Sequence, residues 1–113
     1  MRATAQRQQP AAIVLCSVLT GLATVRALAA HDVQVHAFVF DPKDPLRFSR
    51  YPNKVITVSA TMQEHDLTKF VCQYAQSIGG RPVLIVTSDL HALWLAKHAV
   101  ALGQHCRVWT TPH

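Results

Sequence analysis

The groups able to do chemistry in this chain are histidines, thiols, scattered hydroxyls and a thin set of acids. Seven histidines stand at His31, His36, His65, His91, His98, His105 and His113. None forms an H-E-x-x-H pair, and none sits at C-x-x-C spacing. His91 and His98 could share a helix face, and the adjacent His105-Cys106 suits a turn better than a chelate. No metal site is therefore expected. Cys16, Cys72 and Cys106 are widely spaced and odd in number, so they make no disulfide framework. They read as buried thiols of a reducing compartment, which places the chain in the cytoplasm. The five Asp and one Glu are dispersed and form no carboxylate pair. No nucleophile–base–acid set can be assembled, so no catalytic residue is expected.

Whatever these groups do, elements must position them. Residues 1–10 are polar and Gln-rich, and they read as a disordered tail. Residues 11–17 (A-A-I-V-L-C-S) form a continuous apolar run, as in a strand buried on both faces. Thr20 can cap a helix over residues 21–30. Residues 33–40 (V-Q-V-H-A-F-V-F) read as a second buried strand, and residues 41–52, with three prolines, as a loop. Residues 54–60 make a shorter strand. Thr61-x-x-Glu64 is a capping box opening a helix with Leu67, Phe70, Val71, Tyr74, Ala75 and Ile78 on one face. Gly79-Gly80 ends it. Residues 82–87 (P-V-L-I-V-T) form the fourth strand. Ser88 caps a helix over 89–102 with Leu90, Leu93, Trp94 and Ala101 on its face, and Gly103 closes it. Residues 106–110 are a last short strand.

The order is β-α-β-β-α-β-α-β. It predicts an α/β fold, a Rossmann-like three-layer sandwich with a mostly parallel sheet. Its 113 residues suit one domain, over residues 11–113. In such folds ligands meet the carboxyl ends of the strands. After the first strand Gly21 stands alone where a dinucleotide fingerprint needs three glycines, so a standard NAD site is not expected. Gly21 can still start an anion-holding helix or simply ease packing. After the second strand Asp41 could accept from a ribose or merely open a turn. The loop then carries Ser49 and Arg50, with Arg47 and Tyr51 beside them, a set able to bind carboxylate or phosphate. After the fourth strand come Thr87 and Asp89, candidates for ligand contact around the cap at Ser88.

Eleven basic and six acidic side chains give +5. That favours an anionic ligand. The charges are scattered, without a basic run interleaved with aromatics, so no nucleic-acid partner is expected. The longest charge-free stretch, residues 8–25, contains Gln, Pro, Ser, Thr and Gly, and no membrane span is expected. A secretory reading exists: Arg2 and Arg7, the apolar stretch after them and Ala27-Leu28-Ala29 form a signal-peptide pattern over residues 1–29. Pro10, the Gln-rich start and Arg26 stand against it.

Three segments together are more specific. They are T-G-L-A-T-V-R-A-L with V-Q-V-H-A-F-V-F-D, then F-S-R-Y, then R-P-V-L-I-V-T-S-D with L-W-L-A-K-H. In this order they resemble the N-terminal, pre-ATP-grasp domain of ATP-grasp carboxylate–amine ligases, the predicted carboligases. The resemblance runs from residue 11 nearly to the end of the chain. It implies a Rossmann-like domain lining the substrate side of a cleft, with Gly21, Asp41, Ser49, Arg50, Thr87 and Asp89 facing it. It also implies ATP and Mg²⁺ in full-length relatives, held by later domains and not by this one. The expected partners are then an ATP-grasp domain on a separate chain, a second copy, and a small carboxylate or amine. The chain reads as a truncated or split member, inactive alone. A free-standing small-ligand or interaction module of the same fold remains the other reading.

Overall fold

Apolar runs become the central strands because they can be buried on both faces of one sheet, while the more polar segments Lys54–Thr57 and Arg107–Val108 take its edges. The computed structural model describes residues 10–17 and 20–108. The expected tail, Pro10 apart, and the last residues of the expected final strand lie outside them. The strands are β1 (Ala12–Cys16), β2 (Val35–Val39), β3 (Lys54–Thr57), β4 (Val83–Val86) and β5 (Arg107–Val108). The helices are α1 (Gly21–Ala30), α2 (Glu64–Ile78), α3 (Asp89–Lys97) and α4 (Ala99–Gly103). The sheet order is β3-β2-β1-β4-β5, and every pairing is parallel. The expected α/β, Rossmann-like sandwich is the fold found, with a sheet that is wholly rather than mostly parallel.

Side chains alternate between two cores. Ile13, Leu15, Phe38 and Leu84 point to one face, where they meet Leu67, Val71, Trp94 and Leu102 of α2–α4. Val14, Cys16, Val35, Ala37 and Val39 point to the other, against Val25 of α1 and Leu46. Leu46 belongs to a 3-10 turn (Pro45–Phe48) inside the proline-rich loop. Asp44 starts this turn in extended conformation, and its carboxylate accepts from the Leu46 amide at 2.9 Å. The turn plugs the second core where a crossover helix would otherwise sit.

Three local expectations are corrected. Thr20 precedes α1 but makes no capping hydrogen bond. The capping box does not form: Gln63 is the N-cap of α2, Glu64 is its first residue, and Thr61 pairs with Ser59. The third helix is two helices meeting at His98, and it buries a different face. Leu90 and Leu93 are 73% and 66% exposed, whereas Trp94, Leu95 and Leu102 are buried. The segment is apolar nearly all round, so spacing does not select a face. The large indole, whose N–H needs a partner, decides it.

His36 is buried in β2, with Nδ1 2.6 Å from the Tyr74 hydroxyl oxygen. Burial lowers its pKa, and Lys54, its register partner on β3, adds to the effect. Burial lowers that of His91 too. The unfolded chain, with ordinary imidazoles at 6.5, therefore takes up protons more readily than the folded one. Stability from these groups is complete above that value and falls as pH drops below it. Urea midpoints are expected to decline between about pH 7.5 and about pH 5.5, and less steeply in His36→Phe. Equal midpoints at the two values would refute the assignment.

Candidate functional site

The sheet reverses its winding between β1 and β4, because β1 leads to α1 on one face and β4 to α3 on the other. This is the switch point where open parallel sheets bind ligands. The residues just past the two strands are hydroxyl-bearing and joined. Thr87 Oγ1 donates to the Leu15 carbonyl at 2.9 Å and accepts from the Ser17 amide at 2.8 Å. Thr20 Oγ1 donates to the Thr87 carbonyl at 2.8 Å, and its oxygen lies 2.5 Å from Ser17 Oγ. Thr20 thus spends its hydroxyl across the sheet instead of capping α1. No local pattern could show this, because the partner lies 67 positions away.

Beyond β4, Ser88 Oγ accepts from the His91 amide at 3.2 Å and caps α3 as expected. Asp89 is exposed in the first turn. There its charge complements the helix dipole. His91 stacks 4.5 Å from the Phe40 ring at the end of β2, and Nδ1 is buried without a hydrogen-bond partner. It was not among the expected site residues. The only sequence signal is a histidine three positions past the cap of an apolar helix.

The expected residues are not all brought together. Gly21 and Thr87 meet at the switch point, and Asp89 flanks it. At Gly21 a Cβ would lie 2.5 Å from Cys16 Cβ, so packing accounts for the glycine. Asp41 is exposed, and its Oδ1 accepts from the Lys43 amide at 2.9 Å, a turn-opening role. The acid buried at this end of β2 is Asp44, 1% exposed, with Oδ2 unpartnered. Ser49 and Arg50 lie on the path from the carboxyl to the amino end of the sheet. Tyr51 packs under Arg26 of α1, and Asn53 already bonds Val35 at the start of β2. They flank α1 and do not join Thr87 and Asp89.

Burial, aided by the Asp44 carboxylate, pushes the Cys16 thiol up to about 12, and burial first of all pushes Cys106 to about 11. Among the described residues no group of three or more His, Cys, Asp or Glu could hold a metal ion, and no helix is long and apolar enough to cross a membrane. What remains at the switch point is a half-buried rim of hydroxyls and two helix starts. Its hydroxyls and helix starts are groups that can hold an anion or a polar small molecule. Comparison with protein-family models, curated proteins and solved structures found no match.

Proposed function

We propose that this chain is the N-terminal, substrate-side domain of an ATP-grasp carboxylate–amine ligase, and that its switch-point rim lines the carboxylate cleft. The observation that carries the reading is the meeting of two resembling segments. Thr20 of T-G-L-A-T-V-R-A-L and Thr87 of R-P-V-L-I-V-T-S-D are hydrogen-bonded to each other. Residues far apart in the chain thus build one polar edge, where this fold places ligands.

In such a reaction a substrate carboxylate oxygen takes the terminal phosphoryl group of ATP, releasing ADP. An amine nitrogen then attacks the acylphosphate carbon, and phosphate leaves. ATP and Mg²⁺ belong to another domain, and this chain contributes binding and orientation. Leu90 and Leu93 are exposed beside Asp89 at the same edge. They supply an apolar surface on which that domain, or a second copy, docks. Three free thiols, two of them buried, suit a cytoplasmic protein.

The test is a titration of the isotope-labelled chain with small carboxylates such as glycine and D-alanine, followed by amide shifts. Shifts confined to Ser17, Thr20, Gly21 and residues 87–91 are expected, with no ADP release from the chain alone. Shifts elsewhere, no shifts, or turnover by this chain unaided would overturn the reading. Thr87→Val is expected to weaken carboxylate binding about 10-fold and to cost about 1–2 kcal/mol, because the Ser17 amide loses its partner and the Leu15 carbonyl keeps only the longer bond from the Thr87 amide. Chemical denaturation and the same titration check both numbers.

A further inference from the structure

The flank of α1 carries a cluster that the switch-point site does not use. Arg26, in the middle of α1, places its guanidinium carbon 5.4 Å from the Tyr51 ring centroid. Arg50 sits 5.7 Å from the same ring. Arg47 lies 5.6 Å from the ring of Phe48, which is 85% exposed. Arg47 also donates to the Pro42 carbonyl, so its head is held in place. Among the described residues the ion pairs are those of Glu64 with Lys97 and His98, on the opposite face of the sheet. No carboxylate in that set pairs with these three arginines. Of the acids beside Arg47 and Arg50 in sequence, Asp41 accepts from the Lys43 amide and Asp44 is buried, with Oδ1 on the Leu46 amide.

We propose that Arg26, Arg47, Arg50, Phe48 and Tyr51 form a docking surface for an acidic segment of a partner protein. Charge complementarity sets the occupant: three guanidinium groups without a carboxylate partner among the described residues match an acidic segment. The composition agrees, because Arg, Tyr and Phe are the residues enriched where proteins bind proteins. A ring resting under guanidinium groups restrains them before binding, which reduces the ordering cost. Phe48 supplies the apolar anchor. Single-stranded nucleic acid fits less well. It needs several open stacking platforms in series, and both rings already carry arginines, two on Tyr51 and one on Phe48.

The test uses fluorescence anisotropy with three labelled probes. One is a short peptide of Asp, Glu and Leu, the second its Asn/Gln counterpart, and the third oligothymidine. The full chain is expected to bind the acidic peptide saturably and more tightly than either other probe. Arg26→Gln with Arg50→Gln is expected to weaken that binding about 10-fold, and Phe48→Ala about 5-fold. Lys97→Gln, on the far face, is expected to leave it unchanged. These side chains are exposed, and far-UV circular dichroism confirms that each variant is folded. Should the double variant unfold, Arg26→Lys with Arg50→Lys keeps the charge, removes the forks and is expected to weaken binding as well. No saturable binding, equal binding of the uncharged peptide, tighter binding of oligothymidine, or unchanged binding in folded arginine variants would each overturn the proposal.

Discussion

Gly21→Ala is expected to destabilise the chain by about 3 kcal/mol, although alanine is the better helix former. Propensity favours the change by up to about 1 kcal/mol. Packing opposes it more strongly. The added Cβ would lie 2.5 Å from Cys16 Cβ, 3.1 Å from its Cα and 3.2 Å from its Sγ. The two closest atoms are Cα and Cβ of Cys16, whose backbone is paired with Val39 of β2, so neither can swing aside. The first turn of α1 must move, and it would pull Thr20 away from Thr87. The order of rescue follows from the distances. Cys16→Ala removes only the sulfur and is expected to recover little. Cys16→Gly removes the Cβ and is expected to recover part of the loss, limited by glycine's own cost in a strand. Urea unfolding of the single and double variants measures this, and a Gly21→Ala chain as stable as the parent would show that α1 is not seated on Cys16.

The same residue shows where the sequence is informative. A lone glycine after the first strand leaves packing and ligand binding open, and only the distance to Cys16 favours packing. The strands were legible because buried runs such as A-I-V-L-C leave no polar face to misplace. The face of α2 was legible because its apolar residues recur at helical spacing. α3 was not, because the apolar residues of D-L-H-A-L-W-L-A-K spread nearly all round the helix. The site was half legible. Thr87, Gly21 and Ser88 follow from strand ends and caps. Thr20's cross-sheet bond and His91's stacking on Phe40 depend on contacts between distant segments. The burial of Asp44 was not legible, for a local reason. Pro45 keeps Asp44 extended, and that conformation turns its carboxylate inward onto the Leu46 amide.

Trp94→Ala is expected to cost about 3–5 kcal/mol. Trp94 is 2% exposed and fills the core between the sheet and α2–α4. Its indole N–H donates to Thr68 Oγ1 at 3.0 Å, and Thr68 in turn donates to the Glu64 carbonyl at 2.8 Å. This chain of bonds ties α3 to the first turn of α2. The parallel tie on the surface is much weaker. Glu64 reaches Lys97 at 3.7 Å and His98 at 3.3 Å, but it is half exposed. Exposed pairs of that kind contribute at most about 1 kcal/mol. Trp94→Phe keeps most of the ring and loses the N–H, so a smaller cost of about 1–2 kcal/mol is expected. Combining it with Thr68→Val should add little further loss, because both changes delete one bond. His91 rests edge-on against the same indole, with ring centroids 6.4 Å apart. Losing Trp94 therefore frees His91 as well, and a folded Trp94→Phe chain should bind carboxylate more weakly while Lys97→Gln does not. A Trp94→Ala chain less than about 1 kcal/mol below the parent in urea would mean that α3 is held by something other than this core.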